Sequence, residues 1–163
     1  MIQIPLTQGK VAIIDEADYS IVNKYKWHYM KCGREGKYGY ASAVTGYKNG
    51  HARSEKMHRL ICGAEPQQYV DHINGNCLDN RRSNLRICSI AENARNQHSR
   101  RGISKFKGVT WRRDINIWQA RIRINYECIH LGFYKDESEA AKAYDKAAML
   151  YFGEFANINF KTI

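Results

Sequence analysis

The sequence predicts an α+β fold in two parts, and three observations carry that prediction. Residues 69–93 read as strand, loop, strand, helix. Residues 105–163 read as a three-stranded antiparallel sheet packed on one helix. Between them, at 97–104, lies a polar, basic run rich in Ser, Arg and Gly. The 163 residues suffice for two small domains, and an apolar fraction of 44% gives each a modest core. The expected domains are 1–96, with a motif at 56–96 and an extension at 1–55, and 105–163, joined by the linker 97–104.

In the first part, Val11-Ala12-Ile13-Ile14 reads as a strand. Asp15 to Tyr25 reads as a short helix, with acids early and Lys24 and Lys26 late, matching the helix dipole. Trp27–Met30 and Tyr38–Val44 look like two antiparallel strands. Gly46 to Glu55 is a polar loop with turn chemistry at Lys48-Asn49-Gly50-His51. Lys56–Ile61 should be helical. Tyr69-Val70 is a short β-prone run ending on Asp71-His72, and Asn74-Gly75-Asn76 is a turn. Leu85–Cys88 is the returning strand, and Ser89-x-x-Glu92 is a capping box that opens a helix.

In the second part, Lys107–Arg112 is a strand and Arg113–Asn116 a turn. Trp118 to Asn125 alternates: Trp118, Ala120, Ile122 and Ile124 on one face, Gln119, Arg121, Arg123 and Asn125 on the other. Cys128–Tyr134 supplies a third strand. Asp136-x-x-Glu139 opens a helix whose Ala140, Ala141, Tyr144, Ala147, Ala148 and Tyr151 share one side, and Gly153 ends it. Small alanines let that helix approach the sheet and leave the opposite face polar and cationic.

The net charge of +10 is localised. Between Arg81 and Arg123 there are 12 Lys/Arg against 2 Asp/Glu, whereas the rest of the chain carries 14 of each. Such a stretch, interleaved with aromatics and Asn/Gln, points to nucleic acid. Its candidate contacts are Arg81, Arg82, Arg86, Arg95, Arg100, Arg101, Lys105, Arg113 and Gln119. The five cysteines are odd in number and form no Cys-x-x-Cys pair, so reduced, mostly buried thiols in a cytosolic protein are expected. A cytoplasmic, nucleoid-associated location is the matching expectation. No apolar run approaches the ~20 residues that span a membrane.

Asp71 is a hard oxygen ligand at a strand end, and the adjacent His72 is a candidate general base. Asn93, on the capped helix, offers an amide oxygen toward Asp71. One carboxylate and one amide suit an ion that keeps waters and borrows phosphate oxygens, as Mg²⁺ does. Zinc would want several His or Cys ligands.

The run Asp71-His72-Ile-Asn-Gly-Asn, then Asn80 to Asn84-Leu85-Arg86, then Glu92-Asn93 resembles the HNH nuclease motif, in the Asn-ended form of phage and intron-associated homing endonucleases. The resemblance covers roughly His58 to Asn96. It implies a ββα-metal domain in which Asp71 and Asn93 hold Mg²⁺ or Mn²⁺, His72 activates water and Asn84 braces the loop. His58 resembles the His of an His-Arg-Leu segment in these nucleases and is expected to be structural. The stretch Phe106 to Phe160 resembles the AP2/ERF DNA-binding domain, through Trp118-Gln-Ala-Arg-Ile-Arg, His130-Leu-Gly-Phe-Tyr and Phe155-Ala-Asn-Ile-Asn-Phe160 among other segments. It implies a DNA face of Lys107, Thr110, Arg112, Arg121, Arg123 and His130. Lys107, Thr110 and His130 depart from the plant pattern, so the plant target sequence does not carry over. Together these imply a site-specific, metal-dependent endonuclease of the homing type acting on double-stranded DNA. A monomer with one active centre should nick one strand; a dimer or a second visit would be needed to cut both. The alternatives are a catalytically inactive DNA-binding regulator and, less well supported, an RNA-binding protein.

Overall fold

The computed structural model describes residues 1–33, 38–96 and 103–160. Its contacts divide the chain into two units, Met1–Asn93 and Ala94–Ile163. Residues 97–102 of the expected linker, Arg100 and Arg101 among them, lie outside the described residues. The secondary structure is mixed, with small antiparallel sheets and few helices.

The first unit opens on an antiparallel hairpin, β1 (Ile2–Pro5) and β2 (Val11–Ile14). A second sheet, in the order β3-β4-β5, comprises β3 (His28–Cys32), β4 (Tyr38–Lys48) and β5 (His51–Lys56). Ala12 and Ile14 of the hairpin, Ala41 and Ala43 of the second sheet and Met57 and Ile61 of α2 (Met57–Cys62) pack into one core with Val22, Trp27 and Leu85. Gly63 ends α2 in the left-handed conformation, φ 60°. The hairpin β6 (Tyr69–His72) and β7 (Leu85–Cys88) follows, then α3 (Ile90–Asn96). The capping box forms: Ser89 Oγ accepts from Glu92 N at 3.3 Å, and Glu92 Oε2 accepts from Ser89 N at 2.8 Å.

Two expectations for this unit are corrected. The helix expected from Asp15 to Tyr25 is only a 3-10 turn, Glu16–Asp18, and a four-residue α1 (Tyr19–Val22). Trp27 Nε1 donates to Val22 O at 2.8 Å, occupying a carbonyl at the helix end, and Asp15 and Asp18 are turned to Arg82 rather than to the helix. The polar loop expected from Gly46 to Glu55 is instead the hairpin of β4 and β5. Its turn is at Asn49 and Gly50, whose φ of 50° and 77° suit the twist of a tight hairpin. Residues 51–54 of β5 are exposed, so no apolar alternation marked this strand in the sequence.

In the second unit, β8 (Val109–Arg112), β9 (Ile117–Ile124) and β10 (Glu127–Tyr134) form a sheet in the order β10-β9-β8. Helix α4 (Glu137–Phe152) covers one face. Asp136 caps it by accepting from Ser138 N and Glu139 N, and Gly153 ends it. Ala140, Ala141, Tyr144, Ala147 and Ala148 are buried as expected. Tyr151 is 49% exposed, and Phe152 takes the buried place one residue on.

Candidate active site

Asp71 and His72 are the last two residues of β6, and both are buried. Antiparallel register sets Asp71 opposite Arg86 and His72 opposite Leu85. Cross-strand partners share a face. Arg86 Nε and Nη2 therefore both reach Asp71 Oδ2, at 3.1 and 2.8 Å. Arg86, expected to contact DNA, instead has its guanidinium committed to the candidate metal ligand, with 12% of its side chain exposed.

The loop between β6 and β7 is held by its own polar groups. Asn84 Oδ1 accepts from Asn74 N at 2.9 Å, and Asn84 Nδ2 donates to Asp79 O at 2.7 Å. Asp79 accepts from Arg81 at 2.6–2.7 Å and from Asn74 Nδ2 at 2.9 Å, which holds its carboxyl below the usual range. Asn80 is wholly buried, and its Oδ1 lies 3.2 Å from His72 Nε2. The N-terminal hairpin grips this loop: Ile13 N donates to Leu78 O at 2.8 Å, and Asn80 N donates to Ile13 O at 2.7 Å. Arg82 extends the grip, with its N–H on Asp15 Oδ2 at 2.8 Å and its guanidinium on buried Asp18 at 2.7–3.1 Å.

His58, on α2, packs edge-on against His72 with ring centres 4.9 Å apart, and Tyr40 lies 5.2 Å from His58 and 6.2 Å from His72. Lys56 Nζ sits 4.7 Å over the Tyr40 ring. His58 Nδ1 is buried without a hydrogen-bond partner among the described residues. Burial, reinforced by His72, Lys56 and Arg59, pushes the His58 imidazole down to about 3. Burial also lowers His72, against the opposing pull of its Asn80 bond and of Asp71 and Asp79. Both rings are therefore neutral at pH 7. Asn93 is half-buried on α3, its N–H on Ser89 O at 3.0 Å.

Asp71 and Asn93 are hard oxygen donors. Among the described residues, no group of three or more His, Cys, Asp or Glu forms a metal cluster. Donors of this kind suit a hard divalent cation that keeps waters and takes phosphate oxygens. A carboxylate has about four lone-pair sites, and Arg86 engages Oδ2 through Nε and Nη2. Asn80, Tyr40 and Lys56 are the neighbours that sequence reasoning left without a role at this site. The Asp79-Asn80-Arg81-Arg82 run signals only a polar loop; what buries Asn80 is a strand more than sixty residues earlier.

In the second unit, register places Thr110 and Phe133 opposite Gln119, Arg112 opposite Ile117, His130 opposite Arg121 and Cys128 opposite Arg123. Thr110, Arg112, Gln119, Arg121, Arg123 and His130 thus share the face away from α4. Gln119 Nε2 meets His130 Nδ1 at 3.0 Å, and the His130 and Phe133 rings are 4.5 Å apart. Arg121, Arg123, Arg113 and Lys105 are exposed, while Arg112 is paired to Asp114 through Nε at 2.9 Å. Lys107 does not join this face: its amine donates to Arg95 O, and burial pushes it down to about 8. Arg95 lies 4.9 Å over the Phe152 ring.

A buried Asp-His pair at a strand end, a loop pinned by Asn84 and a capped helix behind it are the features of an HNH-type nuclease. The HNH endonuclease family model matches residues 55–95. An uncharacterized HNH endonuclease of Acanthamoeba polyphaga mimivirus is 30% identical over 158 residues, 93% of this chain and 76% of the relative. The chain belongs to the HNH endonuclease family. Its C-terminal region is homologous to AP2 domains. APETALA2-like protein 2 of Oryza sativa subsp. indica is 43% identical over 63 residues, and an ethylene-responsive transcription factor of Arabidopsis thaliana is 42% identical over 62. Each of these matches spans 37% of this chain and only 14% of the plant protein.

Among the described residues, no helix is long and apolar enough to cross a membrane.

Proposed function

We propose that this chain is a site-specific, divalent-metal-dependent DNA endonuclease of the homing type that nicks one strand per monomer. In this reading the first unit is a ββα-metal domain and the second an AP2/ERF-like reader of duplex DNA. The observation that carries it is the buried, neutral His72 beside Asp71. Neutral imidazole is the form that accepts a proton, and burial keeps it so at physiological pH. His72 takes a proton from the water that attacks the scissile phosphorus. Asp71 and Asn93 would hold the cation, and Arg86 keeps the Asp71 carboxylate turned. When bound, the cation neutralises charge that grows on the phosphate and the departing 3′ oxygen. The Gln119, Arg121, Arg123 and His130 face is the surface for the groove, since a sheet can enter the major groove and Arg is the commonest guanine contact.

The test is nicking of supercoiled plasmid with and without Mg²⁺. His72→Ala is expected to lose about 10²–10⁴-fold in rate, the usual contribution of a general base. Cutting by His72→Ala at the native rate would remove His72 from the chemistry. A second reading, an inactive DNA-binding regulator, draws on the Asp71–Arg86 ion pair, which already partners the carboxylate. Duplex binding without any Mg²⁺-dependent nick by the native chain would favour it.

A further inference from the structure

Asn80 lies in the loop between β6 and β7 with none of its surface exposed. A buried amide is costly unless its donors and acceptors are met. Its Nδ2 donates to Leu78 O at 3.2 Å, which fixes the way the amide is turned. Its Oδ1 then faces His72 Nε2 at 3.2 Å. An amide oxygen only accepts, so the hydrogen between the two atoms belongs to Nε2, and a neutral imidazole then carries its lone pair at Nδ1. The main chain of Asn80 is pinned as well. Its N–H is on Ile13 O at 2.7 Å, and Asn84 Nδ2 holds the carbonyl of the preceding residue at 2.7 Å.

We propose that Asn80 is a positioning residue that locks His72 in the Nε2–H tautomer and so fixes Nδ1 as the atom that takes the proton. The purpose of this lock rests on the nuclease reading above; the tautomer itself does not. A base held as the wrong tautomer cannot accept a proton at the reacting side, and such a fault is among the most damaging to a histidine-based site. The hydrogen bond that selects the tautomer is made by the ring nitrogen away from the chemistry. The N-terminal hairpin thereby acquires a task in the site, because β2 holds the loop segment that presents Asn80.

The test uses the full chain labelled with ¹⁵N-histidine, with the His72 ring signals assigned through His72→Ala. The ring nitrogen shifts should show the Nε2–H form in the native chain and in Asn80→Asp, which keeps an acceptor at this position. In Asn80→Ala they should show a mixture or the Nδ1–H form. In the plasmid assay, kcat of Asn80→Ala should fall about 10–100-fold, as for the loss of an orienting partner, with KM for DNA unchanged. A native His72 with its hydrogen on Nδ1 would overturn the proposal. So would Asn80→Ala with both tautomer and kcat unchanged. Should Asn80→Ala fail to fold, a mixed tautomer in Asn80→Asp is the overturning result and a pure Nε2–H form the supporting one. A native chain that cuts no plasmid sinks the nuclease reading, while its ring spectrum still judges the tautomer.

Discussion

Two neutral histidines packed edge to edge set how this molecule responds to acid. His58 is 5% exposed, its Nδ1 has no hydrogen-bond partner among the described residues, and burial pushes it down to about 3. His72 is also lowered by burial. Both folded values lie below the ~6.5 of an unfolded histidine. Between those values the unfolded chain binds more protons, so stability rises with pH. The contribution is complete above about pH 6.5 and is lost as pH falls toward 3. One such group changes stability by about 1.4 kcal/mol per pH unit in that window, so His58 alone should remove about 2 kcal/mol between pH 7 and pH 5. Urea unfolding at the two pH values measures this. His58→Phe, which fills the space with a ring that cannot protonate, should lose clearly less over the same step. Equal losses in the native chain and in His58→Phe would show that His58 does not carry the acid sensitivity.

Elements whose signals are local were legible in the sequence. The alternation in β9 appears as buried Ala120 and Ile122 between exposed Arg121 and Arg123. The Ser89/Glu92 box and the Asp136 cap form as their residue types dictate. Elements defined by a distant partner were not legible. Nothing in Val11–Ile14 says that it will bond to Leu78 and Asn80, and nothing in β5, solvated over residues 51–54, says strand. The candidate site divides the same way. Asp71 and His72 stand out in the sequence as an oxygen donor and a base at a strand end, and Asn84 through the resemblance to the HNH motif, while the burial of Asn80 and the capture of Arg86 by Asp71 depend on tertiary and cross-strand contact. Packing of α4 on its sheet gives the test at this scale. Gly108 has φ 77°, and a Cβ there would lie 1.9 Å from the Tyr144 ring. Tyr144 is buried between helix and sheet and cannot simply swing away. Gly108→Ala therefore adds left-handed strain of about 1–2 kcal/mol to an overpacking cost of about 1–3 kcal/mol. A loss of about 2 kcal/mol or more is expected by thermal or urea unfolding, and a loss under about 0.5 kcal/mol would mean that the strand and helix are not this close.

Across the whole molecule the basic excess is less available than its sequence count implies. Of the basic residues from Arg81 to Arg123, Arg81 faces Asp79, Arg82 faces Asp18, Arg86 faces Asp71 and Arg112 faces Asp114. Arg121 and Arg123 are exposed on the sheet face of the second unit and are paired with no acid among the described residues. Phosphate docking should then depend on these two far more than on Arg82. Each phosphate contact contributes about 0.9 to the slope of log affinity against log salt. Anisotropy titrations of one duplex at several NaCl concentrations separate the cases. Arg121→Ala or Arg123→Ala should lower the slope by about 1 where the side chain meets a phosphate. Where it meets a base edge, the slope should hold while specificity relaxes at one position by about 1–3 kcal/mol. Arg82→Ala should leave the slope unchanged and instead lower the stability of the first unit by about 1–3 kcal/mol, because buried Asp18 loses its donor. A slope that falls as much for Arg82→Ala as for Arg121→Ala would move the docking surface from the sheet to the loop that carries Arg82.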